Sequence, residues 1–161
     1  MLSSFSILLV GFVLGMRHAT DPDHVVAVTT IVSDQPSLAR ASAIGALWGI
    51  GHSITIFLVG GALVAFRLVI PPRLGLAMEF VVALMLIALG TLNLSGRSFP
   101  ARSTARPLAV GFVHGLAGSA FIALLVVAAV PGVALGLFYL ALFGVGTVAG
   151  MALITLAIAL P

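Results

Sequence analysis

Long apolar runs separated by short polar connectors make up nearly the whole chain. The runs occupy residues 2–16, continued after a polar break by 25–32, then 41–66, 74–94, 108–130 and 133–160. The connectors are residues 33–40, 67–73, 95–107 and the Pro131-Gly132 turn. A helix needs about 20 apolar residues to cross a bilayer. The pattern therefore predicts an all-α, polytopic membrane helix bundle of about five spans, forming one integral membrane domain over residues 1–161. The longest connector carries Arg97, Arg102 and Arg106 with Pro100 and Pro107. It divides the chain into a first half, 1–96, an Arg-rich connector, 97–106, and a second half, 107–161.

The halves resemble each other. Gly11-Phe12-Val13-Leu14-Gly15 recurs as Gly111-Phe112-Val113-His114-Gly115, offset by 100 positions. Leu47-Trp48-Gly49-Ile50-Gly51 recurs as Leu142-Phe143-Gly144-Val145-Gly146, offset by 95. A three-helix repeat places successive units on opposite sides of a membrane, so two such repeats are inverted, a common transporter plan. The last run ends at Pro161 after a fifth segment, which leaves two expectations: five spans, or six with the C-terminal one cut off. Glycine pairs four apart (Gly11/Gly15, Gly45/Gly49, Gly111/Gly115, Gly132/Gly136, Gly146/Gly150) predict close helix packing rather than a ligand role.

Composition agrees with the pattern. The 161 residues are 61% hydrophobic and 7% charged, with mean hydropathy +1.32. A soluble domain is about 25% charged, so a water-soluble monomer is excluded. A pI of 11.2 invites a nucleic-acid reading. The net charge is only +3, however, and the seven basic residues are all arginines scattered between apolar runs. They form no basic footprint and read instead as orientation signals. Arg40, Arg97, Arg102 and Arg106 in the first and third connectors outnumber Arg67 and Arg73 in the second, placing the former in the cytoplasm and the N-terminus outside. With no cysteine, disulfides and thiolate metal sites are excluded. The apolar N-terminus lacks a basic n-region and a small-residue cleavage site, so no cleaved signal peptide is expected.

One stretch breaks the apolar pattern: Arg17-His18-Ala19-Thr20-Asp21-Pro22-Asp23-His24. An ionisable group at the bilayer centre costs at least about 2.5–3.5 kcal/mol and marks a functional site by default. Pro22 has no N–H, and its ring clashes with the carbonyl four residues back, that of His18. The expected geometry is a half-helix to about Met16, an unwound polar segment, then a second half-helix with Asp21 as N-cap and Pro22 at N1. In an unbroken helix His18 and His24 would be about 9 Å apart along the axis and on different faces. The break is what could bring both imidazoles and a carboxylate to one centre. A solvated surface turn is the plain alternative, but residues 2–16 alone are short for a span.

Neutral imidazoles with a carboxylate suit Ni, Co, Cu or Zn. Asp23 is the preferred carboxylate ligand, because Asp21 is given to the cap. His52 in the second helix is a candidate fourth ligand, or else a histidine hydrogen-bonded to a neighbour. Asp21 and His114 are weaker candidates, His114 standing either on the ion path or in the packed core. Glu79 is expected at the interface, and Asn93 and Ser95 receive no role.

At these residues the chain resembles the nickel/cobalt transporter superfamily. That family carries His, four residues, then Asp-His, commonly within Arg-His-Ala-x-Asp-Ala-Asp-His; here Pro22 stands in place of the second Ala. A second family motif, Gly-His-Ser, is present as Gly51-His52-Ser53. The strings from His114 to Ala120 and from Phe143 to Thr147 look like the short, urease-accessory-type branch. The resemblance implies secondary-type transport of Ni²⁺ or Co²⁺ across a prokaryotic inner membrane by a multi-pass permease. It implies metal recognition by His18, Asp23 and His24, assisted by His52. The ion is then a substrate and no resident cofactor is expected. The partners are the lipid bilayer and either a further copy of the chain or an accessory subunit, with no nucleic acid.

The chain has no Gly-x-x-x-x-Gly-Lys string and no lysine at all, so it is no P-loop ATPase. Two other readings compete with a permease. One is a non-transporting membrane subunit of a nickel-enzyme maturation system. The other is a membrane metalloenzyme in which His18, His24 and His52 hold zinc and Asp23 or Asp21 acts on water. Histidine ligands must be deprotonated to bind metal. A permease of this kind is therefore expected to lose uptake below pH about 6.5, the ordinary imidazole pKa.

Overall fold

The structure, a computed structural model, describes residues 3–32, 37–96, 104–116, 130 and 132–160. Among the described residues there are six helices and no strand: α1 (Ser4–His18), α2 (Pro22–Val32), α3 (Leu38–Phe66), α4 (Pro72–Leu94), α5 (Ala105–His114) and α6 (Val133–Ile158). Helices α3, α4 and α6 are long and apolar enough to cross a membrane. Leu58, Phe80, Ile87, Phe138 and Val145 stand exposed, whereas all four histidines are buried. Apolar outside and polar inside is the arrangement a bilayer selects, and the protein is a helical membrane bundle.

Local chemistry places most helix ends where the apolar pattern does. Ser3 caps α1 through Ser6 N–H at 3.1 Å. Ser37 opens α3, which closes at Arg67 in the left-handed region. Pro71 and Pro72 begin α4, where a missing N–H costs nothing. Arg106 and Pro107, read from the sequence as connector, lie in the first turn of α5; a proline is tolerated there. The other connector arginines, Arg97 and Arg102, lie outside the described residues.

The break in the first span is shorter than the sequence predicts. Arg17 and His18 remain in α1, and only residues 19–21 leave the helix. The proline obstructs a single carbonyl, that of His18, which Asp21 N–H takes instead at 3.1 Å; Thr20 N–H takes that of Arg17 at 2.8 Å. Nothing upstream needs to unwind. The Asp21 backbone carbonyl accepts from His24 N–H and Val25 N–H, opening α2. Its carboxylate does not cap that helix as expected: it accepts from His18 Nδ1 at 2.9 Å. A buried imidazole N–H is a more demanding partner than an amide that water can reach.

The most extensive packing is α3 on α6, followed by α1 on α6 and α5 on α3. Backbones touch at glycines. A methyl group at Gly15 would collide with the Phe143 carbonyl, and one at Gly146 with the Phe12 carbonyl. In the other interface, a methyl at Gly111 would meet the Trp48 carbonyl and one at Gly51 the Leu108 carbonyl. The two interfaces correspond contact for contact. Gly15 and Phe12 map onto Gly111 and Leu108, and Gly51 and Trp48 onto Gly146 and Phe143. Contacts advance in step along α1 and α6 and along α3 and α5, so these pairs run parallel. Gly45 meets Met151 and Thr155 while Gly49 meets Val148, so α3 and α6 are antiparallel. The two units are thus inverted.

This correspondence corrects the register of the repeat. The motif match pairs Gly11 with Gly111, whereas the packing pairs Gly15 with Gly111, an offset of 96 positions rather than 100. Glycines four apart make a helix self-similar after about one turn, and sequence alone cannot choose between the two registers. In the new register α1 and α5 end alike, at His18 and His114, with Ala19 and Gly115 N–H groups bonded in the same pattern. The run at 108–130 is therefore not one continuous helix but breaks after His114; residues 117–129 lie outside the described residues. The pair Gly132/Gly136 is also corrected. Among the described residues Gly132 has no neighbour a side chain would meet, and it supplies instead the positive φ, 87°, at the start of α6.

Candidate metal centre

The break turns the polar string inward. Helix α1 delivers His18 at its last position, α2 delivers Asp23 and His24 in its first turn, α3 delivers His52, and α5 delivers His114 at its end. Five side chains from four helices form one connected group, which Asp21 of the break joins through His18. His18 Nε2 lies 3.0 Å from His52 Nε2. His18 and His24 rings stand 4.5 Å apart, and so do those of His24 and His114. Asp23 joins the last two, Oδ1 to His24 Nδ1 at 3.0 Å and Oδ2 to His114 Nε2 at 3.1 Å. His24, His52 and His114 are fully buried.

The carboxylates fix the imidazoles. Asp21 accepts from His18 Nδ1–H, which leaves the His18 Nε2 lone pair free to face His52. Asp23 accepts from His24 Nδ1–H, which leaves His24 Nε2 buried and without a partner among the described residues. A carboxylate behind an imidazole is the usual way a protein sets the tautomer and orientation of a metal-binding histidine. Leaving a buried polar atom unpaired costs about 1–3 kcal/mol, and His24 Nε2, His52 Nδ1 and His114 Nδ1 are all in that state.

Two sets of three donors lie close enough to hold an ion. His18, His24 and His52 form one, with the three donor atoms within 4.8 Å of one another; Asp23, His24 and His114 form the other within the same limit. Metal–nitrogen bonds of about 2.0–2.1 Å place neighbouring donors on one ion about 2.9–3.4 Å apart. The 3.0 Å separation of the His18 and His52 nitrogens falls within that range. Asp21 stands behind His18, and only Asp23 of the two carboxylates reaches a donor set.

Two residues escaped the sequence reading as parts of this site. Trp48 faces the rings of His24 and His114 at 5.4 and 5.3 Å, and Phe143 faces His18 at 5.4 Å. They occupy equivalent positions of the two inverted units and belong to separate apolar clusters, one holding Ile44 and Met151, the other Ile56 and Leu140. The four imidazoles beside them are buried, while Asp21 and Asp23 stay partly exposed. A signal existed in the spacing. Trp48 lies four residues before His52 and so on the same helix face.

No protein-family model matches the chain, and no solved structure matches it. Among curated proteins, the urease accessory protein UreH of Bacillus sp. (strain TB-90) is 37% identical over an alignment of 176 residues, which covers 97% of this chain and 77% of that protein.

Proposed function

Because the chain belongs to the family of the urease accessory protein UreH, we propose that it is a multi-pass protein of a prokaryotic inner membrane that carries Ni²⁺, or Co²⁺, across the bilayer through the site at the broken first span. The observation that supports this most is the convergence of His18, His24 and His52 at a helix break, with His24 Nε2 buried and unpartnered. Imidazole donors suit Ni²⁺ and Co²⁺. Broken helices are a recurrent way to build ion sites in transporters, because the freed backbone is tolerated only where it lines a cavity.

The direct test is ⁶³Ni²⁺ accumulation in proteoliposomes of the purified chain. Time-dependent, saturable uptake above that of protein-free vesicles is the expected result; counts equal to theirs would remove the permease reading. The name of the Bacillus relative favours a second reading, a non-transporting membrane subunit that serves the maturation of a nickel enzyme. That reading predicts nickel binding by the purified chain without flux.

Asp21 gives a graded prediction under either reading. Asp21→Ala removes the acceptor behind His18 Nδ1. Loss of such an outer partner costs about 10–100-fold in metal affinity, and that weakening is expected in equilibrium nickel titrations. An unchanged affinity would show that His18 needs no orienting carboxylate.

A further inference from the structure

The three-imidazole set does not exhaust the donors at the break. Asp23 presents each of its two oxygens to an imidazole nitrogen, at 3.0 Å to His24 and 3.1 Å to His114. The Asp23–His114 distance falls in the range that two ligands of one ion adopt, given metal–donor bonds of about 2.0–2.2 Å, and His24 offers a donor atom within 4.8 Å of both. His114 Nδ1 is buried and, among the described residues, unpartnered, like His24 Nε2. His114 is fully buried on the last turn of α5, 91 positions from the carboxylate it contacts.

The internal symmetry gives this arrangement a meaning. His114 is the counterpart of His18 in the inverted unit, since both end their helices in the register set by Gly15 and Gly111. Each ring lies against the equivalent aromatic residue, Phe143 for His18 and Trp48 for His114. His24 sits between them with equal ring separations of 4.5 Å. A neutral imidazole has one in-plane lone pair, so His24 serves one ion at a time.

We propose that the protein offers a divalent transition-metal ion two adjoining stations that share His24, one completed by His18 and His52 and the other by Asp23 and His114. The proposal rests on the reading that the cargo is such an ion. The ion passes from one unit of the inverted pair to the other by exchanging His18 and His52 for Asp23 and His114, with His24 a ligand at both stations. The first station is all nitrogen and the second adds a carboxylate oxygen, so their ligand fields differ. Two stations of three donors also lower the barrier to release, because each holds the ion less tightly than a single site that gathered all five side chains.

The test uses the purified chain with ⁶³Ni²⁺ equilibrium dialysis, Co²⁺ absorption spectra and proteoliposome flux. Wild type, His18→Ala, His114→Ala and the double variant are compared. One ion per chain is expected for wild type and for each single variant, and none for the double variant. The Co²⁺ spectra of the two single variants should differ from each other, because one retains the oxygen-containing set and the other the nitrogen set. Flux in each single variant should fall by at least the about 10–100-fold that follows loss of an outer partner, because here a direct ligand of one station is removed. His114→Gln, which keeps the side-chain volume without an imidazole lone pair, should repeat the His114→Ala result and guards against a variant that fails to fold. Two ions bound per wild-type chain would overturn the shared station. So would His114 variants with wild-type affinity, spectrum and flux, in which case the permease reading still stands. A wild-type chain that binds no ion overturns both.

Discussion

His24→Ala is expected to abolish saturable nickel binding and to reduce ⁶³Ni²⁺ flux to that of protein-free vesicles. The loss should exceed the about 10–100-fold typical of an outer partner, because this ring belongs to both three-donor sets. It also releases Asp23 Oδ1 from its hydrogen bond, so the carboxylate is left less well aimed at His114. His52→Ala and His114→Ala each spare one set and should cost less. His24 is fully buried against Trp48, so His24→Gln, closer in size, separates ligand loss from the cavity. Nickel binding retained by both His24 variants would show that the ion does not use the break at all.

The second large effect lies away from the metal. Gly51→Ala and Gly146→Ala are each expected to lower the thermal unfolding midpoint of the solubilised protein and to shift it toward aggregated species on gel filtration. In an exposed helix the same change would be favourable by about 1 kcal/mol. Here the added methyl meets a backbone carbonyl, that of Leu108 or Phe12, which cannot swing aside. Overpacking of this kind costs about 1–3 kcal/mol and sometimes more. Equivalence of the two interfaces predicts similar losses at the two positions. Gly90→Ala on α4, with no neighbour within 4 Å among the described residues, is the control and should leave the midpoint unchanged or raise it. If all three variants behaved alike, the helix pairs would not be held by backbone contact at these glycines.

Membrane helices and the site of the break were legible in the sequence because both are local. An apolar run is a property of about 20 neighbouring residues, and α4 ends at Leu94 and α3 at Phe66 as the runs do. Pro22 acts on a carbonyl four positions away, which is why the second half-helix begins at that residue. The polar string and the two isolated histidines stood out because ionisable groups are costly among apolar neighbours. The six candidate ligands among them, His18, Asp21, Asp23, His24, His52 and His114, lie in one connected group.

Tertiary structure decided how that group is wired. Local sequence makes Asp21 the cap of α2, because the nearest free amides are there, yet the rotation of α1 presents an imidazole instead. Asp23 and His114 meet across 91 positions, and their meeting depends on how far α3 and α5 slide along each other. Glycines four apart fit either of two registers in sequence. Only the collision of particular carbonyls, Trp48 with Gly111 and Leu108 with Gly51, selects the one that aligns His114 with His18. Sequence thus determined which residues are too polar for lipid and where the first span must break, since both follow from short-range chemistry. Which of those residues face each other was left to helix packing, because contact across the bundle is a property of register and rotation that no single segment carries.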